Sequence, residues 1–124
     1  MDPLTPTRLS DELDLVVEHW SPRVIGRVND QYIKVAKLLG ELVWHAHDEE
    51  DEMFLVVYGN LRIQREGLPE VRLGPGEFFV VARGVLHNPI AEQEVGLVLI
   101  ETVTTAHTGA KQVAGTVSIE RQLG

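Results

Sequence analysis

The chain has 124 residues and no low-complexity tract, and its 44% apolar content suits one folded domain around one core rather than general disorder. It contains no cysteine, which excludes disulfides, thiolate metal sites and cysteine nucleophiles; any metal must be held by imidazole and carboxylate, as iron, manganese, zinc, cobalt and nickel allow. A formal net charge of −8 repels polyanions and the basic residues never cluster with aromatics, so no nucleic-acid partner is expected.

Residues 1–9 read as a flexible arm with two prolines, followed by one domain over residues 10–124. Neither a basic start nor an apolar leader opens the sequence, and a cytoplasmic location is the expectation. Ser10 is placed to cap a short helix, with Asp11 and Glu12 in its first turn and Leu13, Val16, Val17 and Trp20 on one face up to Pro22.

From Val24 the period changes to that of strands. Short apolar runs at Val24–Val28, Tyr32–Leu39, Leu42–His47 and Met53–Tyr58 are separated by Asn29–Asp30, Gly40 and an acidic stretch. Gly59–Asn60 reads as a hairpin turn before Leu61–Gln64, and Gly67–Pro69 as a turn before Val71–Leu73. Gly74–Pro75–Gly76 then leads into Phe78–Ala82, Val85–His87 and Val95–Val103. Many short strands with regular breaks predict an antiparallel sandwich or barrel, and no intervening helical pattern supports a βαβ fold. The longest unbroken apolar runs, Met53–Tyr58 and Val95–Ile100, have six residues each, against roughly 20 for a membrane helix. Thr104 to Gly115 reads as a loop, Thr116–Ile119 as a further edge strand, and Leu123 as an anchor for the end.

The informative stretch is His45-Ala46-His47-Asp48-Glu49-Glu50-Asp51-Glu52. Side chains at i and i+2 of a strand share a face, so His45 and His47 can converge on one ion while Trp44 points away. Five adjacent acids repel one another and cannot all be buried. Glu52 is the best placed to turn inward, because the apolar strand starts directly after it and a hairpin would set it beside the histidines. His87, 35 residues further on, follows a glycine-marked turn and completes a set of three imidazoles and one carboxylate if the sheet curves far enough.

These residues resemble the two motifs of a small single-domain cupin, of the bacterial type related to sugar isomerase-like cupins. The first motif appears as Gly40, His45, His47, Glu52 and Gly59, with the first gap one residue short. The second appears as Gly76, Gly84 and His87, with Ala82 where proline and Ala91 where asparagine is usual. The resemblance runs over about residues 10–103, including His-Trp-Ser-Pro at 19–22 and GEFFVVARGVLH at 76–87. It implies an all-β cupin-type double-stranded β-helix, a jelly-roll barrel with a short N-terminal helix. It also implies one divalent metal ion, iron, manganese, zinc or nickel, on His45, His47, Glu52 and His87.

The expected activity is that of a metal-dependent enzyme, isomerase-like or dioxygenase-like, on a small polar or chelating molecule; the alternative is a non-catalytic metal or ligand-binding module. Phe54, Tyr58 and Phe78 are candidates for the substrate pocket, with Arg62 and Arg83 for an anionic group. His107 and Tyr58 are the candidate proton-transfer residues. Val43, Phe54, Val56 and Phe78 should be buried on the ligand-bearing face. Strands apolar on both sides call for extra cover, so a homodimer is expected.

Overall fold

A computed structural model describes residues 5–109 and 116–124. The first four residues of the expected arm, and residues 110–115 of the expected loop, lie outside the described residues. Helix α1 (Leu9–Asp14) precedes seven strands: β1 (Arg23–Val28), β2 (Gln31–Glu41), β3 (Glu52–Tyr58), β4 (Leu61–Arg65), β5 (Leu68–Leu73), β6 (Phe78–Val81) and β7 (His87–Thr102). Helix α2 (Ile119–Leu123) ends the chain.

His87, the end of the expected Val85–His87 segment, and all but the last residue of Val95–Val103 belong to a single element. Strand β7 is continuous through Glu92, Gln93 and Glu94, which are exposed between two buried stretches. Its first part pairs with β4, Arg65 opposite His87, and with the end of β2, Glu41 opposite Ile90. Its second part lies between β2 and β3, with Leu97 opposite both Ala36 and Val56. One strand therefore serves two stretches of sheet, and the irregularity between Leu38 and Gly40 falls where it passes from one to the other.

The sheet is not closed into a barrel, which corrects the closed jelly-roll expectation. Pairing runs β1-β2-β7-β3-β6, with β4 joining β7 and β5 as a branch, and no ladder among the described residues links β1 to β6. The physical reason lies at the edges. Strand β6 has only four residues, and β1 finds cover from α2 rather than from another strand.

Two layers of apolar contact follow from strand parity. Ala36, Leu38, Phe54, Val56, Leu61, Ile63, Leu97 and Leu99 form the inner core. Val35, Ile25 and Val98, on the opposite face, pack with Leu13 and Val16 from the N-terminal segment. Helix α1 is shorter than its apolar stripe suggested: it stops at Asp14, so Leu13 and Val16 are buried while Val17 is 89% exposed. Ser10 lies inside that helix and does not cap it, since Arg8 holds the cap position without a side-chain bond.

Gly59–Asn60 is a corner rather than a hairpin, because β3 pairs with β6 and β7 whereas β4 pairs with β5 and β7. Gly59 has φ +86°, and a Cβ there would meet the Glu94 carbonyl oxygen at 2.6 Å, so only glycine fits. At the C-terminus the expected edge strand is replaced by α2. Ser118 caps it by accepting a hydrogen bond from the Arg121 backbone N–H, and Gln122, not Leu123, is the buried anchor. No helix among the described residues is long and apolar enough to cross a membrane.

Candidate metal centre

His45 and His47 lie outside any named strand. Their segment is held by an isolated bridge in which the His45 N–H donates to the His87 carbonyl (3.0 Å) and the His87 N–H to the His45 carbonyl (2.9 Å). The Gly84 N–H fixes the next turn by donating to the His47 carbonyl at 2.8 Å. This bridge, rather than a hairpin between the histidine segment and β3, brings residues 45 and 87 together. Alternation survives over the short extended stretch: His45 and His47 are buried, and Trp44 is 37% exposed. Glu52 arrives from another direction, opposite Glu101 of β7 and Val81 of β6.

The four side chains are all buried and each offers a ligand atom, all within 4.8 Å of one another. His47 Nε2 lies 3.5 Å and His87 Nε2 3.6 Å from Glu52 Oε1. Donors about 2.1 Å from a shared ion stand roughly 3 to 4.2 Å apart, so the spacings of His47 and His87 from Glu52 fit one, and the widest pair would draw in by about half an ångström around it. Two backbone contacts set the tautomers. The Nδ1 atoms of His45 and His87 donate to the Val43 and Val85 carbonyls, each at 2.9 Å, which leaves both Nε2 lone pairs directed elsewhere. His47 Nδ1 and Nε2 and His87 Nε2 are buried without a hydrogen-bond partner in the protein. Orphaned buried imidazole nitrogens are costly, and a cation satisfies them. The donor set therefore fits a divalent metal ion.

Protonation is tuned in the same direction for some ligands and against it for others. Burial brings the His45 pKa down to about 4, opposed by its bond to Val43, so the ring is neutral near pH 7. Burial also lowers His47, but the adjacent Glu52 carboxylate outweighs it and raises the pKa overall. Burial pushes the Glu52 carboxyl up; the adjacent Glu101 carboxyl and the His47 and His87 rings more than reverse this and hold it well below the usual carboxylate range. Glu101 is held well above that range by burial and by the neighbouring Glu52, so the two carboxyls share one proton.

Above the ligands lies a cavity of about 30 Å³, lined by Trp20, Leu42, Phe54, Pro89, Leu97 and His107 with His45 and Glu52. Of the sequence-derived pocket and proton-transfer residues, the structure brings only Phe54 and His107 here. The Phe54 ring centroid stands 6.2 Å from that of His87. His107 Nδ1 accepts the Val117 N–H at 2.9 Å, and burial lowers its pKa to about 4.

Four candidates lie elsewhere. Tyr58 is six residues along β3 from Glu52, about 20 Å at strand rise. A register shift after Val56 lets its ring cover Gly96, and its hydroxyl donates to Glu94 Oε1 at 2.6 Å. Phe78 pairs with Leu55 and so faces outward, 62% exposed; Phe79, opposite Phe54, takes the inward position. Arg62 projects outward between buried Leu61 and Ile63, and its guanidinium is held by Glu70 and Glu92. Arg83 is exposed in the turn before His87, where its backbone N–H donates to Asp51 Oδ1. Val43 is half-buried.

Sequence reasoning missed three buried polar residues: Lys34, Glu101 and Gln122. The available signal was a lysine at the parity of Ala36 and Leu38, and a glutamate at the parity of Leu97 and Leu99. Trp20 was read as part of a helical stripe. It has φ +59° instead, and its indole Nε1 donates to the Leu39 carbonyl at 2.7 Å, setting the ring against the cavity.

An all-β sheet with three imidazoles and a carboxylate converging on its inner face defines a small β protein with a buried cluster capable of coordinating a divalent metal. The family model of the cupin domain matches residues 37–103, more than half of the chain, and the chain belongs to the cupin family. A cupin-2 domain containing protein from Shewanella frigidimarina is 40% identical, superimposes with a TM-score of 0.75, and is matched over 77% of this chain and 93% of its own. Protein NMB1881 from Neisseria meningitidis is 31% identical with a TM-score of 0.72, over 79% of this chain and 99% of its own. Among curated relatives, the uncharacterized protein YdbB of Bacillus subtilis is 32% identical over 64 residues, which are 52% of this chain and 57% of YdbB. The match thus spans less than two thirds of that relative.

Proposed function

We propose that this chain is a metal-dependent enzyme acting on a small chelating molecule, with His45, His47, Glu52 and His87 as the metal ligands. The observation that carries the reading is the group of buried, unpartnered imidazole nitrogens facing one carboxylate. A bound iron, manganese, zinc or nickel ion would act as a Lewis acid or, for iron, as a redox centre. The protein's own contribution is to hold three imidazoles and the Glu52 carboxylate in place and to surround them with Phe54, Leu97 and Leu99, which keep bulk water out. His107 is the candidate proton carrier, since its Nδ1 accepts from the backbone and its other nitrogen is left to hold the proton within the cavity lining. Isomerase-like and dioxygenase-like reactions both remain within this chemistry.

A non-catalytic metal or ligand-binding module is the second reading, favoured by the small cavity, which has room for about two waters. Metal analysis of gently purified protein, followed by turnover of chelating substrates by wild type and His107→Ala, separates the two. Full metal occupancy with His107-dependent turnover supports the enzyme. Occupancy without turnover of any chelating substrate supports the module, and absence of stoichiometric metal overturns the enzyme and the metal-binding form of the module.

The same reading includes a homodimer. Phe78 and Val80 are exposed on the outer face of edge strand β6, next to half-buried Met53 and Leu55, and a second copy would cover them. A monomeric mass at micromolar concentration overturns it. We place the protein in the cytoplasm, since a chain without cysteine needs no oxidising compartment.

A further inference from the structure

Behind the metal ligands runs a buried polar chain that the proposed chemistry does not use. Lys34 is fully buried, and Glu101 and Gln122 are each 2% exposed. Lys34 Nζ lies 2.6 Å from Glu101 Oε1 and donates to Gln122 Oε1 at 2.5 Å. Glu101 in turn stands opposite Glu52 across the β3–β7 ladder, close enough that each carboxyl shifts the other's protonation. The far end of the chain is anchored by Gln122 Nε2, which donates to the Val117 carbonyl at 2.9 Å. The Val117 N–H is the donor that orients His107. The carboxylate ligand and the cavity histidine are therefore tied to the same short C-terminal segment from two sides.

A buried lysine and a buried glutamate are expensive to desolvate, and hydrophobic residues of similar volume would serve packing at least as well. Placing them against a ligand has a different physical use. Partners of a metal ligand orient it and set its basicity. We propose that Lys34 and Gln122 are positioning residues for the metal centre, acting through Glu101 to hold the Glu52 carboxylate in its ligating orientation, so that helix α2 is a working part of the site. The proposal rests on the metal reading above.

The test uses cobalt(II) alone as the probe with the full chain. Affinity is measured by competition with a chelator, and coordination by the visible cobalt spectrum. Lys34→Met is expected to weaken cobalt binding by about 10–100-fold, the range for loss of an outer partner, and to change the spectrum. Gln122→Leu, a milder change at the edge of the network, is expected to weaken it in the same sense. In an Glu52→Gln background the effect of Lys34→Met should largely vanish, because its route to the metal is gone. A purely structural role predicts the reverse: a lower melting temperature, with cobalt affinity and spectrum of the folded Gln122→Leu protein equal to those of wild type. That result overturns the proposal even if Lys34→Met fails to fold. Wild type that binds no cobalt overturns the metal reading itself, a failure visible before any variant is made.

Discussion

Strands β3 and β7 run between two polar clusters that use similar residues to opposite effect. At one end Glu52 and Glu101 face each other in the interior beside three histidines and Lys34, all of them buried. At the other, Tyr58 and His19 both bond the Glu94 carboxylate, at 2.6 and 2.9 Å, on the surface. The interior cluster leaves imidazole nitrogens without partners, and its carboxyls shift far apart in pKa. The surface cluster satisfies its groups with one another and with solvent, where ion pairs contribute little. A carboxylate and a histidine within 3 Å are thus not a site by themselves. Burial with an unmet coordination demand distinguishes the two ends.

The largest effect should follow from removing a ligand. His87→Ala keeps the backbone bridge to His45, because both of its hydrogen bonds are main-chain. It should nonetheless lower metal affinity by more than about 100-fold, beyond what an outer partner supplies. Calorimetric titration with cobalt checks this, and near-normal affinity would remove the distinction between the two ends. His19→Ala, at the surface cluster, should leave the same titration unchanged.

Next in size is the packing contrast within one strand pair. Phe54→Ala removes a buried ring from the cavity wall and should cost about 3–5 kcal/mol in denaturant unfolding. Phe78→Ala, on the exposed face, should stay within about 0.5 kcal/mol in the monomer. Equal costs would contradict the strand parity described above.

Acid should act on the buried end first. His45 titrates near 4 in the folded chain against 6.5 unfolded, as does His107. Between these values the unfolded state binds more protons, so metal-free stability falls as pH drops from about 6.5 to 4. For His45 alone the loss is on the order of 3 kcal/mol. Below 4.5 the depressed Glu52 adds to it as its folded form takes up a proton. His47 works the other way: its raised pKa contributes stability below 6.5 that is lost as pH rises through its folded value. Glu101, raised as well, also opposes His45 and His107 above 4.5. Urea midpoints of metal-free wild type and His107→Gln are therefore compared across pH 4 to 7. The variant should lose less stability on acidification, and equal slopes would contradict the burial-driven shift of His107. Metal should steepen the profile, because protons compete with it for the imidazoles.

The smallest effect is expected from Tyr58→Phe. It removes one exposed hydrogen bond to Glu94 and leaves the ring over Gly96. Stability should change far less than for Phe54→Ala, with metal affinity unaltered. A loss of metal binding would show that the two clusters communicate along β3.

Part of the buried cluster was legible locally, as two histidines at strand parity and a glutamate where an apolar strand begins, while His87 joined them only through the resemblance to the two cupin motifs. The inward faces of β2, β3 and β4 were legible for the same reason, since alternation follows from the pleat alone. Parity failed where the third dimension intervened. Phe78 and Phe79 are both apolar, and only pairing with Leu55 and Phe54 decides which one turns inward. Arg62 reads as a free cation until Glu70 and Glu92, 8 and 30 residues away, are brought beside it. The open sheet, the α2 cover and the chain from Gln122 through Lys34 to Glu52 depend on contacts between segments up to 88 residues apart. A sequence states which groups each stretch can offer, through residue type and local period. Which of them meet, and in what dielectric, is decided by the sheet that carries them together.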